Sequence, residues 1–308
     1  METPDIIPFK IGKSAPANTF LAIWMAQEAG LYKAQGLAPE IVPMVGGREA
    51  GPTLSAGRIQ LMHIGMSSVV RANAMGADLV TVGSLSNVIR CSLFTASGVK
   101  TADELKGGIV GISSTGSESD ATATLALGRL GLTRQDIRVE ELGVGSFSAL
   151  RDGSVAAAML NEPLRSEALK AGLNMMVDFF SERVPWLYSG LVVDRSYLKD
   201  NRGAVIRFLK ATIEGNYMAV GDENRAKDIL ARELRLTDQK HLDRSYANFK
   251  SLTPANAEID RAGAANIVTT VASPDSGGNV DDYIDTSVLD ALRDEGYFDT
   301  IQQRYEKR

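Results

Sequence analysis

Short apolar runs alternate with helix-spaced apolar positions along the first 85 residues of the chain. The runs predict four strands, each separated from a helical segment by small or polar residues. The predicted strands are Ile6–Ile11, Leu37–Met44, Ile59–Ile64 and Leu79–Leu85. Because strands and helices alternate, we expect a parallel-rich sheet whose strands are joined by crossover helices.

The same alternation begins again after an apolar, extended segment at Val88–Ser97. The second set of predicted strands is Ile109–Ile112, Arg138–Leu142, Val155–Leu160 and Met175–Phe179, and the helices among them are Ser117–Leu130, Ser146–Arg151 and Pro163–Ala171. Another extended segment, Leu187–Val193, follows, and the chain beyond it has helical spacing.

These segments predict an α/β protein of two lobes with flanking helices. We expect residues 1–92 and 191–308 to form the first lobe, with a helical C-terminal part, and residues 93–190 to form a smaller second lobe. The chain would cross between the lobes twice, so the two extended segments would act as a two-strand hinge. At 308 residues the chain is long enough for two such lobes.

Residues 107–131, GGIVGISSTGSESDATATLALGRLG, combine a short buried strand with a helix through a loop of small hydroxyl residues. Backbone N–H groups at a helix start are unpaired and lie at the positive end of the helix dipole, where they favour an anionic or polar ligand. The candidate contacts are Ser114, Thr115, Gly116 and Ser117. The alternative is structural, because Ser117 with Asp120 is also an ordinary helix-capping pair.

Composition indicates a globular protein rather than a disordered or membrane-embedded one. Apolar residues make up 44% and charged residues 23% of the chain, and the formal net charge is −5. Basic residues are dense only in the tail at residues 304–308. We therefore expect no nucleic-acid partner.

The cysteine and histidine content argues against a metal site or a nucleophilic enzyme. Cys91 is the single cysteine, which excludes an intrachain disulfide and a cysteine-rich zinc site. His63 and His241 lack matching carboxylate or cysteine spacing, so each is interpreted as structural. We expect no metal and no cofactor.

The beginning of the sequence does not have the pattern of a secretory leader. Pro8 and Lys10 interrupt the apolar residues there, and the longest apolar run, Phe20–Ala26, is too short to span a bilayer. Two readings stay open at this point: a cytoplasmic chain, or a periplasmic one whose signal peptide has been removed.

The order of the segments resembles the periplasmic solute-binding proteins of ABC importers with the type II fold. The likeness is to the NMT1/THI5-like group, which includes nitrate, sulfonate, taurine and thiamine-pyrimidine binders. Five passages carry it: FLAIWMAQEAGLYKAQGLAPEIV, GGREAGPTLSAGRIQLMHIG, SGVKTADELKGGIVGISSTGS, AAAMLNEPLRSEALKAGL and VLDALRDEGYFD. The likeness covers nearly the whole chain, and it is carried by the order and spacing of the passages.

The resemblance implies a solute held between the lobes at the carboxyl ends of the strands. It places contact loops at residues 15–19, 46–48, 65–67, 86–87, 113–117 and 161–162, with Tyr188 where the chain crosses back. The contacts implied outside residues 114–117 are Asn18, Thr19, Gly47, Arg48, Met66, Ser67, Asn87, Glu162 and Tyr188. Gln60 departs from the group, which often has an acidic residue there.

Each of these contacts has a structural alternative. Asn18 and Thr19 are also favoured as helix caps. Arg48 could hold a carboxylate, sulfonate or phosphate through its planar fork, or lie in solvent. Glu162 could bind an amine or aminopyrimidine, or form an ion pair with Arg165.

The function implied is a receptor, not an enzyme, that captures a small polar organic solute of sulfonate, carboxylate or pyrimidine type by closing its lobes. It would act as a monomer and deliver the solute to an ABC permease in the membrane. The alternative is an enzyme on the same scaffold, similar to pyrimidine synthases or aromatic decarboxylases. The synthases carry a cysteine-rich stretch, which this chain lacks. A ligand-sensing transcription regulator would need a DNA-binding segment before Lys10, where too few residues are available.

Overall fold

The fold consists of two five-stranded sheets covered by helices. The structure is a computed structural model that describes residues 6–14, 17–44, 47–272 and 278–306. In chain order the strands in these ranges are β1 (Ile7–Lys13), β2 (Leu37–Pro43), β3 (Leu61–Ile64), β4 (Leu79–Val88), β5 (Cys91–Thr95), β6 (Ile109–Ile112), β7 (Arg138–Glu141), β8 (Ala157–Asn161), β9 (Asn174–Val177) and β10 (Pro185–Asp194). The predicted α/β class is confirmed.

Helices flank both sheets, and the longest ones follow β10. In chain order they are α1 (Leu21–Glu28), α2 (Leu31–Ala34), α3 (Ala50–Ser55), α4 (Met66–Ala74), α5 (Ala102–Leu105), α6 (Glu118–Arg129), α7 (Ser146–Arg151), α8 (Leu164–Lys170), α9 (Phe179–Glu182), α10 (Arg195–Asp200), α11 (Arg202–Gly221), α12 (Glu223–Leu234), α13 (Gln239–Leu252), α14 (Arg261–Val271), α15 (Ser287–Asp294) and α16 (Tyr297–Glu306). The helical C-terminal part therefore lies where the sequence predicts it.

Each sheet contains parallel strands and one strand that enters from the other lobe. The first sheet has the order β2-β1-β3-β10-β4, and the second has the order β7-β6-β8-β5-β9. Strands β1, β2 and β3 are parallel, as are β6, β7 and β8. By contrast, β10 is antiparallel to β3 and β4, and β5 is antiparallel to β8 and β9. Both antiparallel strands arrive directly from the other sheet, β5 after β4 and β10 after β9 and the short helix α9.

The chain crosses between the sheets at two neighbouring places. The first crossing is short, with Ile89 and Arg90 between β4 and β5, and the second runs through α9 into β10. Since β4 and β10 pair in the first sheet, the two crossings lie side by side. The predicted limit between residues 190 and 191 falls inside β10, whose residues from Pro185 onward pair with the first sheet.

Helix α1 is buried on every side in the first lobe. Every residue from Leu21 to Ala26 is buried, a pattern typical of a helix enclosed by protein. Helix α11 packs against α1, and Gly215 lies at their closest approach. A Cβ at residue 215 would collide with the Ala22 carbonyl oxygen and lie 2.7 Å from the Ala26 Cβ. Glycine is therefore needed there for packing.

On the α4 side of the molecule, a carboxylate of the second lobe reaches the first. Glu118, the first residue of α6, accepts hydrogen bonds from the Ser67 backbone N–H at 2.8 Å, the Ser67 hydroxyl at 2.9 Å and Trp186 Nε1 at 2.5 Å. Ser67 is in the first turn of α4, so the carboxylate lies at a helix N-terminus. Gly65 leaves room for it, because a Cβ there would overlap the carboxylate.

Helix α13 joins the two lobes at a second place. His241 Nε2 lies 2.9 Å from Glu167 Oε1 on α8, and Arg244 Nη1 lies 4.0 Å from Glu162 Oε1. Arg244 also donates to the Ser166 hydroxyl. The helical C-terminal part thus contacts the second lobe beside Glu162.

The packing of α1 on α11 can be tested with two Gly→Ala substitutions. Gly215→Ala should lower the free energy of unfolding by about 1–3 kcal/mol, because the added methyl overpacks the helix contact. Gly128→Ala is the matched control, since its Cβ position on α6 is open. This control should leave the free energy of unfolding unchanged or raise it by up to about 1 kcal/mol, because alanine has a higher helix propensity than glycine. Urea denaturation measures both, and equal stability of Gly215→Ala and the parent would contradict the packing.

The Glu118 contact should make stability depend on pH. Burial raises the pKa of Glu118 from 4.5 to about 7, against the hydrogen bonds from Trp186 and Ser67, which lower it. The folded protein therefore binds this proton more tightly than the unfolded chain. The stabilisation from this bound proton is present in full below pH 4.5, and it is lost as the pH rises to about 7.

We expect the melting temperature of the parent to fall relative to that of Glu118→Gln between about pH 5 and pH 7, and the difference to be constant at higher pH. Thermal denaturation of both proteins across that range measures it. Because the variant lacks this titrating group, all other titrations cancel in the difference. A difference independent of pH would show that the carboxylate is not desolvated.

Candidate functional site

A small cavity lies between the two lobes beside the crossings. Its volume is about 30 Å³, close to the space that one water molecule occupies in the liquid. Its walls come from the loop before α1, both crossings, the end of β8 and helix α13; the lining residues are Ala17, Asn18, Thr19, Arg90, Asn161, Glu162, Phe180, Tyr188 and Asn248. Both lobes therefore contribute side chains to one site.

Arg90, on the first crossing, is the dominant charge in the cavity wall. The residue is 5% exposed; its Nε donates to the Ser86 hydroxyl at 2.6 Å, and its Nη1 donates to Asn18 Oδ1 at 3.4 Å. Within the described ranges, no carboxylate forms an ion pair with Arg90, and its Nη2 has no hydrogen-bond partner. Burial lowers the pKa of Arg90 to about 10, so the guanidinium stays charged at neutral pH.

Glu162 faces the cavity from the second lobe, between β8 and α8. Its side chain is 11% exposed, and Oε2 accepts hydrogen bonds from the Ser166 N–H at 3.3 Å and the Ser166 hydroxyl at 2.5 Å. Oε1 lies 3.6 Å from Arg165 Nη1, yet among the residues the structure describes it accepts no hydrogen bond. Arg165 is held mainly by Asp178, at 3.0 Å. The predicted ion pair with Arg165 therefore exists and leaves one oxygen unused.

Amide and aromatic side chains complete the wall. Asn248 Nδ2 is buried without a hydrogen-bond partner in the part of the chain that the structure describes. Phe180 has the Arg165 guanidinium 4.8 Å from its ring centre. Burial raises the pKa of Tyr188 well above its usual value, so the phenol stays protonated. The cavity wall thus combines aromatic rings with polar groups and with charged groups of both signs.

Asn18 and Thr19 hold the first-lobe wall in place. Asn18 Nδ2 donates to the Ser245 carbonyl oxygen at 2.8 Å, while its Oδ1 accepts from Arg90. The Thr19 hydroxyl lies 3.2 Å from His63 Nε2 and accepts from the Ser189 hydroxyl at 3.3 Å. Burial lowers the pKa of His63 to about 4, so this ring is neutral. Neither side chain caps a helix; both connect the cavity wall to the core.

Of the residues that the sequence proposes as ligand contacts, the structure brings four together at this cavity. These are Asn18, Thr19, Glu162 and Tyr188, and Ala17 and Asn161 of the predicted contact loops also line the cavity. Ala15, Pro16 and Gly46, which belong to the predicted contact loops, lie outside the described residues. The other proposed contacts lie elsewhere.

Gly47 and Arg48 begin a short turn on the surface of the first lobe. Arg48 lines an open groove with Lys10, Glu40 and Arg58 among its other residues, and that groove is separate from the interlobe cavity. Met66 is buried, and Ser67 donates both its N–H and its hydroxyl to Glu118. The start of α4 therefore binds a carboxylate of the protein itself.

Asn87 has a connecting role near the end of β4. Its Nδ2 donates to the Glu258 carbonyl oxygen at 2.8 Å, and its Oδ1 accepts from the Asp260 N–H at 3.2 Å. Both functions of the amide are used within the protein, so the side chain ties β4 to the loop before α14.

The loop at residues 113–117 lies between the lobes but is closed by its own hydrogen bonds. The Ser117 hydroxyl donates to the Ser114 carbonyl oxygen at 2.6 Å and accepts from the Asp120 N–H at 3.4 Å. The N–H groups of Thr115 and Gly116 donate to Glu141 at 2.9 Å and to Asp120 at 2.8 Å. The capping alternative describes Ser117 well, and carboxylates of the protein accept the hydrogen bonds of the Thr115 and Gly116 N–H groups.

Sequence reasoning missed Arg90, Phe180 and Asn248. A signal existed for Arg90, since it is the one charged residue in the apolar segment Val88–Ser97. No comparable signal marks Asn248, which is one of many polar residues on α13. Its position depends on how the helical C-terminal part packs.

The described ranges contain neither a metal-binding cluster nor a helix that could cross a membrane. No group of three or more His, Cys, Asp or Glu residues there could hold a metal ion. No helix in those ranges has the length and apolar content that crossing a bilayer requires.

Comparison with known proteins places the chain in a family. The profile described as NMT1/THI5 like matches residues 17–226. RibY, a riboflavin-binding protein of Chloroflexus aurantiacus (strain ATCC 29366 / DSM 635 / J-10-fl), is 25% identical over 170 residues, which are 53% of this chain and 47% of RibY. The match thus spans about half the length of RibY.

Solved structures share the fold at low identity. A protein of Bordetella bronchiseptica RB50 matches with a TM-score of 0.80 and 17% identity, covering 94% of this chain and 97% of that one. The periplasmic aliphatic sulphonate binding protein SsuA of Escherichia coli matches with a TM-score of 0.70 and 23% identity, covering 86% and 90%. Because the family profile covers more than half of the sequence, this chain belongs to the NMT1/THI5-like family.

Proposed function

We propose that this protein is a periplasmic solute-binding receptor of an ABC importer. It captures a small polar organic solute between its lobes and delivers it, as a monomer, to a membrane permease. The observation that carries the proposal is the interlobe cavity, whose polar and aromatic walls come from both lobes and from both crossings. Family membership and the fold shared with SsuA support it.

Closing of the lobes would be driven by the hydrogen bonds that a bound solute makes to the polar groups of the cavity. Arg90, Glu162 and Asn248 each present a buried atom without a hydrogen bond among the described residues. In an open form water would solvate these atoms, and in a closed form a bound solute would replace that water. A ligand favours the closed form by as much as it binds that form more tightly than the open one.

The helix-start site predicted at Ser114, Thr115, Gly116 and Ser117 is not the centre of this proposal. The N–H groups of Thr115 and Gly116 in that loop are already bonded to Glu141 and Asp120. We therefore assign solute binding to the cavity that Arg90 and Glu162 line.

Blocking the cavity tests this function. A panel of sulfonates, aromatic carboxylates, pyrimidines and riboflavin is screened by thermal shift, and hits are measured by calorimetry. Ala17 lines the cavity, so Ala17→Trp should fill it and weaken binding of any hit by about 100-fold or more. Ala262→Trp, on the exposed face of α14, is the matched control and should bind as the parent does.

Mass spectrometry of the recovered compound separates a receptor from an enzyme. We expect one-to-one binding and an unchanged compound. Conversion of the bound compound to a product would overturn the receptor function, and undiminished binding by Ala17→Trp would overturn the assigned site.

A further inference from the structure

Three residues that line the cavity from its different walls each carry a buried polar atom without a hydrogen-bond partner among the described residues. Arg90 Nη2, on the first crossing, and Asn248 Nδ2, on α13, are donors, while Glu162 Oε1, on the second lobe, is an acceptor. All three atoms are buried and lack hydrogen bonds within the described ranges. Buried polar atoms are nearly always paired, so such a group in one cavity indicates the hydrogen-bonding pattern of a bound molecule.

The charge of Arg90 requires an anion. The residue is 5% exposed, and its hydrogen bonds go to the neutral oxygens of Ser86 and Asn18. A guanidinium removed from water without a counter-charge is costly, and its planar fork matches carboxylate and sulfonate groups. An acidic group of the solute at Arg90 Nη2 would supply the missing charge, with Asn248 Nδ2, on α13, as a second donor.

Glu162 lacks a hydrogen-bond donor, whereas Arg90 lacks a counter-charge. Arg165 and Arg244 already place guanidinium nitrogens 3.6 Å and 4.0 Å from its Oε1. Its charge therefore has partners, and what it lacks is a hydrogen bond to that oxygen. An N–H donor serves this purpose whether or not it carries a charge, so an aliphatic amine and an amino group on a ring both fit.

We propose that the solute is amphoteric, with a carboxylate or sulfonate that binds Arg90 and an N–H donor that binds Glu162. The part between these groups would lie against Phe180 and Tyr188. This assignment rests on the proposed receptor function and names the chemical class of its solute.

Matched sets of small probes test the assignment. One set is 4-aminobenzoate, benzoate and aniline, and the other is 2-aminoethanesulfonate, ethanesulfonate and ethylamine. Each set compares a molecule that carries both groups with molecules that carry only one. Calorimetry or thermal shift at up to about 10 mM should give the amphoteric member of a set a Kd about tenfold or more below that of either single-group member, since each adds a charged hydrogen bond.

Two substitutions separate the contributions of the two groups. In the Arg90→Met variant, the acidic group of the probe should no longer increase affinity, so 4-aminobenzoate should bind no better than aniline. With Glu162→Gln, Ser166 retains the remaining oxygen and the amide NH₂ faces the cavity, so 4-aminobenzoate should fall to the level of benzoate. Benzoate itself should be unaffected by Glu162→Gln.

Surface substitutions of the same kind are the controls. Arg151→Met and Glu223→Gln alter exposed side chains and should leave every Kd unchanged. Circular dichroism checks that each variant is folded. If Arg90→Met does not fold, the Glu162→Gln comparison alone decides the outcome.

Equal binding of an amphoteric probe and its acid-only partner would overturn the assignment, and so would failure of both amphoteric probes to bind. Neither result would overturn the receptor function, which the larger panel and the cavity-filling variant test independently. Loss of binding by a panel hit in Ala17→Trp, together with these negative results, would leave a receptor for a solute of another class.

Discussion

The structure depends on a guanidinium buried where the two lobes meet. Arg90 lies between β4 and β5, at the short crossing into the second lobe, and its hydrogen bonds go to neutral groups of the first lobe. Burial of an ion costs several kcal/mol unless a partner compensates for it. Burial alone does not remove the charge, since the pKa of Arg90 stays at about 10. Under the proposed receptor function, an anionic group of the solute at this point would compensate for that cost, which links closing of the lobes to the chemistry of the solute.

The named contacts that join the lobes do not involve this charge. Glu118 bonds to the start of α4 and to Trp186, and α13 reaches α8 through His241 and Arg244. These contacts use groups that find partners within the protein, whereas the cavity collects groups that do not. This division suits a receptor, because contacts within the protein would provide part of the free energy of lobe closing and the bound ligand would provide the rest.

The sequence was sufficient for the order of elements and much less so for the site. Alternation of apolar runs predicted both sheets, since each strand and helix is a local pattern. The direction of β5 and β10 was not a local property, because it depends on which lobe each strand enters from. The same limit explains Gly215, whose necessity comes from the approach of α1.

The residues of the site also show that local sequence patterns do not predict contacts between distant parts of the chain. Glu162 and Tyr188 could be proposed from the likeness of their segments to a family, and both line the cavity. The loop at Ser114 follows a pattern that attracts anions, but Glu141 and Asp120 accept the hydrogen bonds of its Thr115 and Gly116 N–H groups, and folding brings Glu141 there. Asn248 comes from a helix more than 150 residues after Arg90, a distance at which spacing along the chain carries no information.

A crystal structure with a bound compound tests the central claim most directly. Crystals of the protein with 4-aminobenzoate, or with the tightest-binding acid of the panel, would show where the acidic group lies. We expect an acid oxygen within hydrogen-bonding distance, about 3 Å, of Arg90 Nη2, with both lobes in contact with the molecule. An acid bound at the Ser114 loop or in the groove beside Arg48, with Arg90 left without an anion, would contradict the account.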